Sequence, residues 1–221
     1  LSACFQKPAA SLISRSRMTD PGIYGLVLAG GFSRRMNHDK ANLVYPVHGK
    51  PQWKVTTECS RPFCKKTFLS IREGQSLDDL GSDSADTLVD RGSSQGPLSG
   101  FLSAMHRVPG QALLVIACDL PLLNGSILRE IIKHRGSADA IAYRSSSDSL
   151  PEPLCALYEP AMLEVCRSEA LKGARCPRKI LIQQEPSVKL LDLPIPNALD
   201  NANTPEDFDR LCRVLEQTKT V

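Results

Sequence analysis

The 221-residue sequence predicts an α/β domain in which helices cover both faces of a mostly parallel sheet. Two observations predict it. From Tyr24 onward, short apolar runs alternate with longer amphipathic ones, the pattern of βαβ units whose strands are buried on both sides. The length suffices for one sizeable core and only marginally for two small ones, so a single domain is expected over 21–221.

Strands are expected at 24–29, 67–71, 86–89, 112–117, 138–143, 154–158 and 188–191, most of them too short to be helices. The run at 24–29 stops at Gly30-Gly31, and the one at 112–117 is apolar throughout. Helical periodicity is expected at 98–107, 126–134, 161–170 and 206–216. The last follows Thr204-Pro205, an N-cap and a rigid first turn. Trp53 sits early in a further helix as a packing residue. Residues 145–149 are a polar loop. Residues 1–20 are short, basic and Ser/Ala-rich, and are expected to be a leader, linker or expression remnant.

Hydrophobic residues make up 42% and charged residues 23%, and no apolar run approaches the roughly 20 residues of a membrane span, so a membrane protein is not expected. A net charge of +3 with interleaved signs leaves no dense basic stripe for nucleic acid, while an anionic small substrate fits it. The cysteines at 4, 59, 64, 118, 155, 166, 176 and 212 include no CxxC pair and no Cys/His grouping, which argues against a metal cluster. Cys118 ends the apolar run Val115-Ile116-Ala117, where a thiol behaves as a small hydrophobe. A reducing, cytoplasmic setting is expected, with disulfides as the alternative.

The strongest local signal is Leu28-Ala29-Gly30-Gly31-Phe32-Ser33-Arg34-Arg35-Met36-Asn37-His38-Asp39-Lys40, directly after the first strand. Gly30 and Gly31 let backbone N–H groups approach phosphate oxygens, and Arg34, Arg35 and Lys40 bring cations that neutralise a triphosphate. It is neither GxGxxG nor GxxxxGK[ST]. The plain alternative is a tight turn with a solvated basic face. A second signal is Asp119, which follows the apolar run ending at Cys118. Its carboxylate is expected at the carboxyl edge of the sheet, where open α/β sheets bind ligands. One carboxylate plus substrate phosphates suits Mg²⁺.

The glycine-rich segment resembles the LAGGxSxRMGxDK motif of the bacterial molybdenum cofactor guanylyltransferases. It departs at Asn37, where that family has glycine, and Asn tolerates a positive φ. Further strings resemble the family in order: Asp90 ahead of Gly96-Pro97-Leu98-Ser99-Gly100, then Cys118-Asp119-Leu120-Pro121-Leu122, then Glu152-Pro153-Leu154, and finally Asn201-Ala202-Asn203-Thr204-Pro205. A family asparagine falls on Ile71 or Arg72 here. The stretch 171–181, with Gly173, Arg175, Arg178 and Lys179, resembles the family's LxxGxxxLRxLL.

The resemblance implies a Rossmann-like three-layer α/β/α nucleotidyltransferase fold. It also implies transfer of GMP from GTP to the terminal phosphate of molybdenum cofactor, with release of pyrophosphate. Its nucleotide-binding residues would be Leu28, Ala29, Gly30, Gly31, Lys40, Asp90 and Asp119. Arg35, Lys40 and Asp119 would be catalytic, with Mg²⁺ on Asp119. A carboxylate such as Asp90 accepts from guanine N1 and N2; an exposed turn pair with Arg91 is the other reading. Asn201 and Asn203 either approach the metal or cap a helix. Arg175 and Arg178 either hold the pterin phosphate or form a solvated helix face. Fusion to, or a complex with, another molybdenum cofactor protein fits the non-Met start. A cytidylyltransferase, a sugar-phosphate nucleotidyltransferase and a catalytically silent nucleotide-binding module are the rival readings. No covalent hydrolase is expected, because no GxSxG elbow occurs and the four histidines are scattered.

Overall fold

A computed structural model describes residues 21–30, 39–77, 86–90 and 96–218. The segment 1–20 and the loop residues Gly31, Arg34 and Arg35 lie outside the described residues. The seven apolar runs form β1 (Ile23–Leu28), β2 (Thr67–Arg72), β3 (Thr87–Asp90), β4 (Ala112–Ala117), β5 (Ala140–Arg144), β6 (Pro151–Tyr158) and β7 (Val188–Leu191). They make one sheet in the order β3-β2-β1-β4-β6-β5-β7. It is mostly parallel: β1 pairs in parallel with β2 and β4, β2 with β3, and β5 with β7. Only β6 runs antiparallel, to both β4 and β5. The connection 145–150 is too short for a parallel crossover, so β6 must turn back on β5.

β6 begins at Pro151, three residues before the expected run at 154. Proline cannot donate to a ladder, which makes such residues read as loop. A register shift between Ala142 and Tyr143 lets β5 still pair with Glu152 and Pro151.

The helices are α1 (Gln52–Ser60), α2 (Pro97–Arg107), α3 (Gly125–Lys133), α4 (Pro160–Leu171), α5 (Pro177–Gln183) and α6 (Pro205–Thr218). α2, α4, α5 and α6 start on proline, whose missing N–H is one that the first turn leaves unpaired anyway. α3 is capped instead by Asn124, whose side chain accepts from the backbone of Ser126 and Ile127. α5 has no counterpart among the expected helices, because its roughly two turns are too short to show a period.

β4 is buried along its whole length, and its alternation builds the layers. Leu113 and Val115 join Phe101 of α2, Met162 of α4 and Ile180 of α5 on one face. Leu114 and Ile116 meet Ile127, Leu128 and Ile131 of α3 on the other. Each such side chain contributes about 1.5–3 kcal/mol by burial. Trp53 of α1 is fully buried with Val27, Leu69 and Ile71, in the packing role expected of it. The result is the three-layer α/β/α arrangement.

From β1 the chain proceeds outward to β2 and β3, then returns through α2 to place β4 on the other side of β1. The strand order reverses between β1 and β4, so the loops leaving their carboxyl ends diverge and open a crevice. Cys118 N donates to Leu28 O at 3.1 Å, holding the two strand ends together at its base.

Candidate functional site

The residues singled out in the sequence gather at this crevice. Leu28, Ala29, Gly30, Lys40, Asp90 and Asp119 all line one cavity of about 300 Å³. Gly31 and Arg35 lie outside the described residues. Arg72, Ser99 and Gly96, which the motif strings do not mark as ligand-binding, line the cavity too.

The glycine-rich segment is described at its two ends. Ala29 N donates to Ser70 O at 2.8 Å, so the chain leaves β1 still tied to β2. On its return, Asp39 caps the 3₁₀ turn Lys40–Asn42 by accepting from Ala41 N. Gln75 joins the two ends. Its Nε2 donates to Ala29 O at 2.8 Å and to Asp39 Oδ2 at 2.7 Å, and its Oε1 accepts from Arg72 N at 3.1 Å. Asp39 also pairs with Arg72 at 3.4 Å.

Lys40 then reaches across the crevice. Its ammonium lies 3.2 Å from Asp119 Oδ2 and donates to Asn203 Oδ1 at 2.7 Å. Asn203 in turn donates from Nδ2 to Asn201 Oδ1 at 2.7 Å. A carboxylate and an amide oxygen thus converge on one positive group. Capping at this end of α6 is done by other residues. Thr204 Oγ1 accepts from Asp207 N, and Asp207 Oδ2 accepts from the N–H groups of Asn203 and Thr204. Those backbone donors, that of Asn203 foremost, pull the Asp207 carboxyl below the usual aspartate range. Asn203 is therefore free of capping duty, and α6 is docked through Leu211 and Leu215 onto Tyr45 and Ala202.

Asp90 sits at the other end of the cavity, at the end of β3. Ser70 Oγ donates to both of its carboxylate oxygens at 2.8 Å. Burial pushes the Asp90 carboxyl above the usual aspartate range, and hydrogen bonds from Ser70 and Ser99 draw it partly back. Asp90 is thus a half-buried acceptor, and its neighbour Arg91 lies outside the described residues. Ser99 also donates to Gly96 O at 2.7 Å, tying the first turn of α2 to the same spot. α2 packs this close to β1 and β2 because Gly100 carries no side chain. A Cβ there would lie 2.6 Å from Leu28 Cδ2 and 2.7 Å from Ser70 Oγ.

A second, larger cavity of about 830 Å³ adjoins the first and shares Pro97, Ala117, Asp119 and Leu154 with it. Ser145, Ser146, Arg175, Arg178, Asn201 and Asn203 line it. The two cavities meet at Asp119. Arg178 is not a bare cation there: it pairs with Asp148 at 2.9 Å and with Glu152 at 3.0 Å, fastening the 145–150 loop and β6 to α5. Arg175 precedes α5 at the cavity wall.

No helix among the described residues is long and apolar enough to cross a membrane. The described cysteines are free, with Cys118, Cys155 and Cys166 buried.

Residues 25–188 match the family model described as the MobA-like NTP transferase domain. A molybdenum cofactor biosynthesis bifunctional protein of Synechocystis is 37% identical over 196 residues, covering 86% of this chain and 53% of that protein. The chain thus spans about half the length of that relative. A probable molybdenum cofactor guanylyltransferase of Trichormus variabilis is 32% identical over 189 residues, covering 83% of this chain and 87% of that protein. Among solved structures, molybdopterin-guanine dinucleotide biosynthesis protein A from Archaeoglobus fulgidus superposes with a TM-score of 0.71 at 23% identity, covering 88% of this chain and 99% of its own. A manganese complex of a Mycobacterium tuberculosis protein shares the fold, with a TM-score of 0.60 at 17% identity over 87% of this chain and 98% of its own.

Proposed function

The chain belongs to the family of MobA-like NTP transferase domains, and we propose that it transfers GMP from GTP to the terminal phosphate of molybdenum cofactor, releasing pyrophosphate. The observation that carries this reading is the convergence of Lys40, Asp119 and Asn203 where two cavities meet. The smaller is bounded by the end of a glycine-rich loop and the half-buried carboxylate of Asp90, and suits a nucleotide. The larger suits a bulky phosphorylated acceptor.

The donor set fits a divalent cation. Asp119 Oδ2 and Asn203 Oδ1 both face one positive charge, at present the Lys40 ammonium, and hard oxygen donors of this kind suit Mg²⁺. When bound, Mg²⁺ would neutralise phosphate charge and align the α-phosphate. Lys40 would turn to the triphosphate and stabilise the charge that builds on the departing pyrophosphate, a role the family resemblance also gives to Arg35. Asp90 would accept from guanine N1 and N2. In the reaction a bond forms between an acceptor phosphate oxygen and the α-phosphorus, while the bond from that phosphorus to the bridging oxygen breaks. No covalent bond to the protein is needed, so positioning and charge neutralisation supply the rate. Asn201 and Arg175, with Arg178 behind them, would border the acceptor.

In this reading residues 21–221 act as one nucleotidyltransferase domain. The buried free cysteines Cys118, Cys155 and Cys166 support a reducing, cytoplasmic setting. The bifunctional Synechocystis relative supports association, by fusion or complex, with another molybdenum cofactor protein.

Thermal unfolding with GTP, CTP, ATP and UTP, each with and without Mg²⁺, tests the nucleotide half, because a ligand of the folded state raises its stability. A Mg²⁺-dependent shift largest for GTP is expected. A shift largest for CTP would replace guanylyl with cytidylyl transfer. Pyrophosphate release from GTP only when molybdenum cofactor is present tests the transfer, and binding without turnover would refute it.

A further inference from the structure

Helix α1 opens on Gln52, a polar residue only 2% exposed. Its backbone N–H, one of those that a helix start leaves unpaired, donates to Leu43 O at 2.8 Å. Leu43 closes the 3₁₀ turn that carries Lys40, its own N–H donating to Lys40 O at 3.3 Å. The side chain of Gln52 ties α1 to a second segment. Nε2 donates one hydrogen to Leu120 O at 3.3 Å and the other to Thr56 Oγ1, also at 3.3 Å. Leu120 directly follows Asp119. One residue thus joins the turn of Lys40 to the turn of Asp119, whose side chains meet 3.2 Å apart.

The backbone around Asp119 is held on both sides. Before it, Cys118 N donates to Leu28 O at 3.1 Å. After it, Leu120 O accepts from Gln52 and, at 3.2 Å, from Leu123 N, which engages both lone pairs of that carbonyl. The amide does this at a cost, because Gln52 Oε1 is buried with no hydrogen-bond partner among the described residues. Turning the amide over would set that oxygen against Leu120 O. Helix packing alone would be served better by an apolar side chain, which buries no unpaired atom. Resting on the reading of Asp119 and Asn203 as ligands of a divalent cation, we infer that Gln52 is a positioning residue for that site. It holds the Asp119 turn in place beforehand, so that cation binding need not order it.

The test reads Mn²⁺ binding to the nucleotide-free protein from the electron paramagnetic resonance signal of the free ion. The component of binding lost in Asp119→Ala marks the site. Gln52→Met keeps the length of the side chain and removes the amide. It is expected to bind Mn²⁺ at that site about tenfold more weakly, as when a group behind a metal ligand is removed. It should nonetheless unfold thermally at or above the wild-type temperature, because the unpaired Oε1 goes too. Thr56→Val removes the hydroxyl that orients the amide and is expected to weaken binding roughly threefold, the worth of a weak hydrogen bond; it decides the matter if Gln52→Met does not fold. Thr57→Val deletes a neighbouring buried hydroxyl that donates to Trp53 O within the helix, and should leave Mn²⁺ binding unchanged. Wild-type affinity in Gln52→Met and Thr56→Val would overturn the inference while leaving the metal site intact, and so would equal weakening in Thr57→Val. Mn²⁺ binding that is absent from the wild type, or that survives in full in Asp119→Ala, would overturn the metal reading and the inference together.

Discussion

Gly100 offers a sharp test, because helix propensity and packing predict opposite signs for Gly100→Ala. In an exposed helix interior the change stabilises by about 0.8–1.0 kcal/mol. Here the new Cβ would lie 2.6 Å from Leu28 Cδ2 and 2.7 Å from Ser70 Oγ, against the roughly 3.5–4.0 Å of relaxed carbon contacts. Ser70 is fully buried, and its hydroxyl is held by both oxygens of Asp90, so it cannot simply swing aside. Overpacking costs about 1–3 kcal/mol, and two simultaneous clashes argue for the upper half of that range. Subtracting the propensity gain leaves a net loss of about 1–2 kcal/mol, or about 2–8 °C in Tm for a domain of this size. Urea and thermal unfolding measure it. A double-mutant cycle with Ser70→Ala should recover part of the loss, because the hydroxyl clash is then gone and only Leu28 remains. GTP affinity should fall with the displacement of Ser70. An equally or more stable Gly100→Ala would refute the packing argument, and a full loss persisting in the Ser70→Ala background would show that Gly100 makes no room for Ser70.

Gln75→Ala should weaken GTP binding about tenfold, by releasing the two ends of the glycine-rich loop, with kcat at saturating GTP nearly retained. Gln75→Glu cannot donate to Ala29 O and should fail to restore affinity; wild-type affinity in that variant would show that packing, not donation, matters. Burial raises the folded-state pKa of Asp90, so the folded chain binds this proton more tightly than the unfolded chain. That contribution to stability is complete below the unfolded aspartate range and is lost as pH rises through the folded value. Asp90→Asn should therefore make the ligand-free protein more stable at pH 7 while lowering GTP affinity at least tenfold. In the wild type, GTP affinity should decline on acidification from above the ordinary aspartate range, and a flat titration there would remove Asp90 from base recognition. Asp119→Ala should fold normally, since the side chain stands at the crevice mouth, and should lose transfer by about a hundredfold or more; full activity would exclude Asp119 as the metal ligand.

What was legible in the sequence was whatever leaves a local trace. Apolar runs announced all seven strands, and strand-end positions announced Gly30 and Asp119. Direction leaves no such trace: the run at 154–158 looks the same parallel or antiparallel, and only the short connection 145–150 hints that β6 turns back. Prolines at 151 and 153 hid the start of that strand, because the register shift that accommodates them, from Ala142↔Ala156 to Tyr143↔Glu152, shows only once β6 is paired with β5. Gln75 was invisible for a different reason. It is one polar residue in a turn, and its partners Ala29 and Asp39 lie 46 and 36 residues away. Ser70 and Ser99 likewise become meaningful only when β2, β3 and α2 bring them to Asp90. Arg178 was conspicuous in the sequence as a cation, but its ion pairs with Asp148 and Glu152, 30 and 26 residues away, left no local trace.

The hydrogen bond between Lys40 and Asn203 closes a span of 163 residues, and this orders events on the ribosome. Synthesis proceeds at roughly 5–20 residues per second, with earlier segments free to fold first. All seven strands end by Leu191, so the sheet needs no residue beyond it, and a partly folded chain can hold its strands before Asn203 and α6 dock. Such an intermediate holds Lys40 and Asp119 without the amide that joins them. In the proposed reading, the group formed by Lys40, Asp119 and Asn203 is therefore completed only when α6 settles onto Tyr45.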